Sequence, residues 1–150
     1  MRIGVILASH GTFAQGALGA VEMIAGAQPD VVALALTAEK SLEAFESEFV
    51  AAYDELSAGC DLVVVLCDIF GGTPFNVIAR CQLRGMKMVA YTGLSMPVAV
   101  ELLLTREGLD SEEAVRAQLT AAHAQAQREI APAPASEPAS AAADEDDLDL

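Results

Sequence analysis

The sequence predicts an α/β fold: a doubly wound, mainly parallel sheet with helices on both faces. Strand and helix signals alternate along roughly the first 130 residues, which implies right-handed crossovers and parallel pairing. The strand runs, such as Val31–Leu36 and Leu62–Cys67, are apolar throughout, as in strands covered on both sides. The chain has 150 residues and is 53% hydrophobic, enough for a core without disulfides or a structural metal.

The elements follow in order. Ile3–Ala8 reads as the first strand and Phe13–Ala25 as a helix carrying Leu18, Val21, Met23 and Ile24. Val31–Thr37 is the second strand. Over Ser41–Ser57, Leu42, Phe45, Phe49, Tyr53 and Leu56 recur at helical spacing. Leu62–Cys67 is the third strand, Thr73–Leu83 a helix and Met86–Tyr91 the fourth strand. Pro97–Thr105 and Ser111–Glu129 read as the last helices. Thr12 with Gln15 has a capping-box pattern, and Thr73–Pro74 places a cap before a proline at the first helical position. Ser41 and Asp110 are expected caps, and Gly26, Gly59, Gly85 and Gly108 expected stops.

Residues 1–130 are expected to form one domain. Residues 131–150, rich in Ala, Pro and Ser and then acidic, are expected to be a disordered tail or linker. The net charge is -14; six of the 22 acidic residues, and no basic one, lie after residue 130. Such a balance argues against nucleic-acid binding and against an anionic membrane surface. No run approaches the length of a membrane span, and the apolar stretch after Arg2 is too short for a secretory signal, so a cytoplasmic protein is expected. Cys60, Cys67 and Cys81 form no CxxC, and two histidines supply no zinc-ligand set. The three thiols read as core residues, with Cys67 beside Asp68 the one open to redox sensitivity.

Ligands of open parallel sheets lie outside the carboxyl ends of the strands. Three segments there combine a polar group with glycine and lead into a helix: Ser9-His10-Gly11, Asp68-Ile69-Phe70-Gly71-Gly72-Thr73-Pro74, and Gly93-Leu94-Ser95. His10 lies at the end of the first strand and Asp68 at the equivalent end of the third. A carboxylate bonded to one ring nitrogen fixes the tautomer and leaves the other nitrogen free as a nucleophile toward a phosphoryl group. Gly71, Gly72 and Thr73 offer backbone N–H groups at a helix start, and the Thr73 and Ser95 hydroxyls add donors for phosphoryl oxygens. Plain turn-and-cap chemistry is the bland reading of these residues.

Other chemistries fit less well. No GxxxxGK[ST] occurs, and the turn after the first strand lacks the GxGxxG spacing. Ser9, His10 and Asp68 have the composition of a hydrolytic triad, but adjacent strand residues face opposite ways and no G-x-S-x-G elbow occurs. His123, among Ala and Gln, reads as a surface histidine.

The segment Ile-Leu-Ala-Ser9-His10-Gly11-Thr-Phe-Ala-Gln-Gly16 resembles the active-site histidine segment of the enzyme IIA domain of the mannose-type (mannose–fructose–sorbose) sugar phosphotransferase system. Asp68-Ile-Phe-Gly71-Gly72-Thr73-Pro74-Phe75-Asn76 is similar to that family's second hallmark, and Gly93-Leu94-Ser95-Met96-Pro97 to a third, in which Ser95 stands where Asn is usual. The resemblance covers residues 1 to about 130 and implies a doubly wound fold, usually a homodimer. It implies that His10 accepts a phosphoryl group from the phosphocarrier HPr and passes it to a IIB domain, which serves a membrane IIC/IID permease. Asp68 takes the role of the carboxylate that bonds the histidine, and neither cofactor nor metal is implied. Pro132, Pro134 and Pro138 resemble the start of a linker to IIB, yet the sequence then turns acidic, so IIB is expected on another chain.

Two readings stand beside the relay: a regulatory module whose phosphorylation state reports sugar flux, and the phosphocarrier subunit of a dihydroxyacetone kinase, whose fold is similar. Phe13, Phe70, Phe75 and Met96 are candidates for an apolar rim facing an HPr-type partner, or for core packing.

Overall fold

The computed structural model describes residues 1–131; the expected tail lies outside the described residues from 132 onward. The elements are β1 (Ile3–His10), α1 (Phe13–Ala25), β2 (Val31–Leu36), α2 (Leu42–Gly59), β3 (Leu62–Cys67), α3 (Gly72–Leu83), β4 (Val89–Tyr91), α4 (Met96–Thr105), a 3-10 turn (Arg106–Gly108) and α5 (Glu112–Ala124). The strand order is β2-β1-β3-β4 and every pairing is parallel. The chain thus starts in the middle, winds outward through β2, then crosses back to β3 and winds the other way. The doubly wound expectation holds.

Strand alternation sorts the core into two layers. Ile3, Val5 and Leu7 of β1 and Leu62, Val64 and Leu66 of β3 face α1, α4 and α5. Ile6 and Ala8 of β1 and Val63, Val65 and Cys67 of β3 face α2 and α3. Phe45, Phe49, Ala52 and Leu56 of α2 recur at helical spacing and fill the second layer. At Gly4 that helix approaches closely: a Cβ there would lie 3.1 Å from Cys60 Sγ and from Leu56 Cβ.

Several local expectations are corrected. β1 runs two residues further than expected, through Ser9 and His10, because both pair with β2, at Ala35 and Leu36. Thr12 makes no side-chain cap; the buried Ser9 hydroxyl accepts the Ala14 N–H at 2.7 Å instead and serves the first turn of α1 from the strand. Ser111, not Asp110, caps α5 by accepting from Ala114, while Ser41 caps α2 as expected. Gly71 holds the cap position of α3, so Pro74 is its third residue and not its first. β4 begins at Val89, where pairing with Val64 starts. α5 ends at Ala124 rather than Glu129, since its last buried position is Leu119 and only Ala122 packs beyond it. Gly59 is the last residue of α2, and Gly108 closes the 3-10 turn.

The amino ends of the strands are held by a residue the pattern did not single out. Arg106 is buried, and its guanidinium donates to the Ile3 carbonyl at 3.0 Å and to the Pro29 carbonyl at 2.6 Å. Burial pulls its pKa below the ordinary arginine value, against the opposing pull of nearby Asp30. One side chain thereby ties α4 to the start of β1 and to the α1–β2 connection. Among the described residues, no helix is long and apolar enough to cross a membrane.

Arg106→Met keeps much of the side-chain volume and removes both donors. It is expected to lower unfolding free energy by about 2 kcal/mol, the cost of two carbonyls left without partners. Urea denaturation checks this; an unchanged midpoint at unchanged slope would show that water replaces the guanidinium without loss.

Candidate functional site

The winding reverses between β1 and β3, so the crevice beyond their carboxyl ends is the topological switch point. His10 is the last residue of β1, and the Gly11 N–H continues the ladder to the Leu36 carbonyl at 2.8 Å. Asp68 directly follows β3, and its N–H bonds the Ala8 carbonyl at 3.1 Å. Both backbones are therefore fixed by the sheet before their side chains meet.

The side chains meet through one carboxylate oxygen. Asp68 Oδ2 lies 2.8 Å from His10 Nδ1 and accepts the His10 backbone N–H at 2.9 Å. Asp68 Oδ1 accepts the Ile69 N–H at 2.9 Å and faces the Cys67 thiol at 3.5 Å. Partial burial pushes the Asp68 carboxyl up, but hydrogen bonds from the His10 backbone, the His10 ring and the Ile69 backbone together outweigh it. The net result is a pKa below the usual carboxylate value. An ionised carboxylate only accepts, so Nδ1 carries the proton toward it. In the neutral ring Nε2 then holds an unprotonated lone pair. The His10 side chain is 47% exposed and that of Asp68 14%, which leaves the ring open and its partner sheltered.

Nε2 faces the start of α3. Gly71 and Gly72 have φ of +82° and +83°, a region that side chains resist. A Cβ on Gly72 would stand 3.1 Å from His10 Cε1 and 3.2 Å from Nε2, so only glycine lets the backbone approach the ring this closely. The first turn of a helix leaves N–H groups without intrahelical partners, and Pro74 has none to offer. The free donors are those of Gly71, Gly72 and Thr73. α2, α4 and α5 have serine caps and α1 has Ser9, whereas no side chain caps α3. Its dipole and its donors are left to an anion.

Of the expected site residues, His10, Asp68 and Gly72 come together, and Gly71 and Thr73 flank them in the same turn. Ser95 sits apart. It caps α4 by accepting the Val98 N–H at 3.4 Å, and among the described residues it has no hydrogen bond to His10 or Asp68. Ser9 is fully buried with its hydroxyl engaged by Ala14, so the Ser9–His10–Asp68 triad is not assembled. His123 is exposed, as expected.

The apolar rim is half as expected. Phe13 is 51% and Phe70 81% exposed, and Ile69, which the sequence reading passed over, is 55% exposed. Phe75 and Met96 are partly buried against the two core layers, and the Phe75 ring centroid lies 4.6 Å from that of Phe70. The Cys67 thiol, expected in the core and open to redox sensitivity beside Asp68, is buried. Burial first, and then the Asp68 charge, push its pKa up to about 12, which keeps it protonated and unreactive at neutral pH.

The chain is similar to known phosphotransferase-system components. The family profile described as PTS system fructose IIA component matches residues 4–119. The PTS system fructose-specific EIIA component of Bacillus subtilis is 28% identical over 107 residues, covering 71% of this chain and 73% of that one. The mannose/sorbose specific IIA subunit from Enterococcus faecalis superposes with a TM-score of 0.78 at 28% identity, covering 91% of this chain and all of that one. The PTS IIA protein associated with the fucose utilization operon of Streptococcus pneumoniae gives a TM-score of 0.71 at 33% identity, covering 81% of this chain and 91% of that one. The chain belongs to the mannose-type family of phosphotransferase-system IIA components.

Proposed function

We propose that this IIA component carries a phosphoryl group on His10 Nε2, accepting it from HPr and passing it to a IIB domain for sugar uptake. The observation that carries the reading is the 2.8 Å contact between His10 Nδ1 and Asp68 at the switch point, with Nε2 facing the uncapped start of α3. The neutral ring attacks phosphorus through Nε2. The P–Nε2 bond forms as the bond from phosphorus to the donor's leaving group breaks. The ring becomes cationic with its proton still on Nδ1, and the Asp68 anion stabilises that cation. The Gly71, Gly72 and Thr73 N–H groups take the phosphoryl oxygens. Onward transfer reverses the step, and the neutral imidazole leaves. The reaction as written needs no cofactor.

An open site suits partners that meet surface to surface. Phe13, Ile69 and Phe70 offer apolar contacts around the ring for HPr and for IIB in turn. The acidic chain favours partners with basic rims. Ser95, next to Leu94, whose N–H bonds the Cys67 carbonyl, is a further donor for the phosphoryl oxygens. Residues 1–130 act as the IIA unit in the cytoplasm, and the membrane IIC/IID permease is reached only through IIB. The homodimer that the family implies has a ready surface in β4, whose outer edge is unpaired among the described residues. The relatives carry different sugar names, so the choice of sugar is assigned to the permease rather than to this site.

The test is a defined mixture of the protein with phosphoenolpyruvate, enzyme I and HPr, with the label mapped by intact mass and peptide analysis under non-acidic conditions. Acid-labile label on His10, absent from a folded His10→Ala variant, is expected. Label elsewhere, or none on the folded parent, would overturn the reading.

Asp68→Asn should accept phosphate about 100-fold more slowly, because an amide neither fixes the tautomer nor offsets the ring charge. Rapid-quench rates check this. The lowered carboxyl pKa also stabilises the fold above the unfolded-state value near 4 and loses that contribution as pH falls through the folded value. Any stability advantage of the parent over Asp68→Asn is therefore expected to shrink below about pH 4, as denaturation at several pH values will show. Gly72→Ala should cost about 1–2 kcal/mol in stability through its positive φ and slow phosphorylation as well, because its Cβ displaces the ring. A variant that loses stability but keeps the parent rate would remove the close approach from the mechanism.

A further inference from the structure

The Asp68 carboxylate is held by more than its histidine. Oδ2 takes the two His10 donors, while Oδ1 takes the Ile69 N–H at 2.9 Å and the Cys67 Sγ–H at 3.5 Å. Cys67 ends β3 and is 3% exposed, packed in the layer of α2 and α3. Its sulfur is thus set by the core and not by solvent. The same thiol lies 3.7 Å from the Ile69 carbonyl, so its hydrogen has two acceptors on the segment that carries the site.

We propose that Cys67 is a positioning residue for phosphoryl transfer: its buried thiol holds the Asp68 carboxylate in the orientation that receives His10 Nδ1. The proposal rests on the relay reading for its rate readout and on the structure alone for its titration readout. The contact links the chemistry to the core. Oδ1 has one backbone donor, from the adjacent residue, and the thiol adds a second from a side chain fixed by packing. A donor aimed at a carboxylate favours its anionic form. With the thiol gone, Oδ1 keeps only Ile69, the carboxyl pKa rises, and the grip on Nδ1 loosens. The titratable groups facing the Asp68 carboxylate are the His10 ring from β1 and Cys67 itself; α3 opposes the ring with glycine. The raised thiol pKa agrees, because a protonated sulfur is a constant donor and not a competing anion.

The experiment compares Cys67→Ser, which keeps a donor, with Cys67→Ala and Cys67→Val, which do not. Melting temperature establishes that each is folded, and Val retains the side-chain volume that Ala loses. Two readouts follow: the pH profile of phosphoryl acceptance from HPr, and the carbon-13 carboxyl titration of Asp68 in the unphosphorylated protein. Ala and Val are expected to accept phosphate about threefold to tenfold more slowly and to titrate Asp68 at higher pH, with Ser within about twofold of the parent rate. Parent-like titration in both Ala and Val would overturn the proposal, as would Ser grouping with them. If the parent takes no phosphate but the carboxyl titration responds as expected, the positioning role stands and the relay reading fails.

Discussion

A single carboxylate oxygen bonds both the backbone and the ring of the histidine that ends the neighbouring strand, and the rest of the site depends on that contact. It decides which imidazole nitrogen keeps its proton. In the proposed relay, the nucleophilic atom, the fate of the ring's charge and the direction from which a phosphoryl group must arrive then follow. An exposed histidine without this partner exchanges tautomers and turns freely in water. Held at 2.8 Å by Asp68, it presents Nε2 to the start of α3.

The fold supplies the rigidity the contact needs. His10 and Asp68 sit at the ends of adjacent parallel strands whose flanking side chains are buried on both faces. Ser9 turns inward and anchors α1, so the residue next to the histidine stabilises the helix that follows it. At the opposite end of the sheet, Arg106 ties α4 to β1 by carbonyl bonds. The two ends differ: the amino ends are closed by a buried cation, and the carboxyl ends carry the exposed His10 ring and the α3 turn without a side-chain cap. At Gly71 and Gly72 a backbone that no side chain tolerates well brings N–H groups up to the ring.

Much of this was legible in the sequence. Uninterrupted apolar strands separated by periodic helices leave few arrangements open, and ligands of such sheets lie outside the carboxyl ends of the strands, which points to the residues just past them. His10, Asp68 and the Gly71–Gly72 turn were found that way. What stayed hidden depended on three-dimensional neighbours. Ser9 and His10 fall beyond the expected first strand because polar residues at a strand end lack the apolar signal, although β2 still pairs with them. Arg106 looks like any arginine at a helix end, since its acceptors lie 103 and 77 residues away along the chain. Thr73–Pro74 mimics a cap, and only the backbone shows that two glycines precede it in the left-handed region. Cys67 and Asp68 are neighbours that a continuing strand would point apart; they meet because the strand ends between them.

The tautomer of His10 in the unphosphorylated protein tests the account most directly. Long-range proton–nitrogen NMR on nitrogen-15 labelled protein distinguishes the two ring nitrogens above the pH at which the ring becomes neutral. The account predicts a protonated Nδ1 and a pyridine-like Nε2 for His10. A His10 ring that carries its proton on Nε2, or that averages between the two forms, would contradict it.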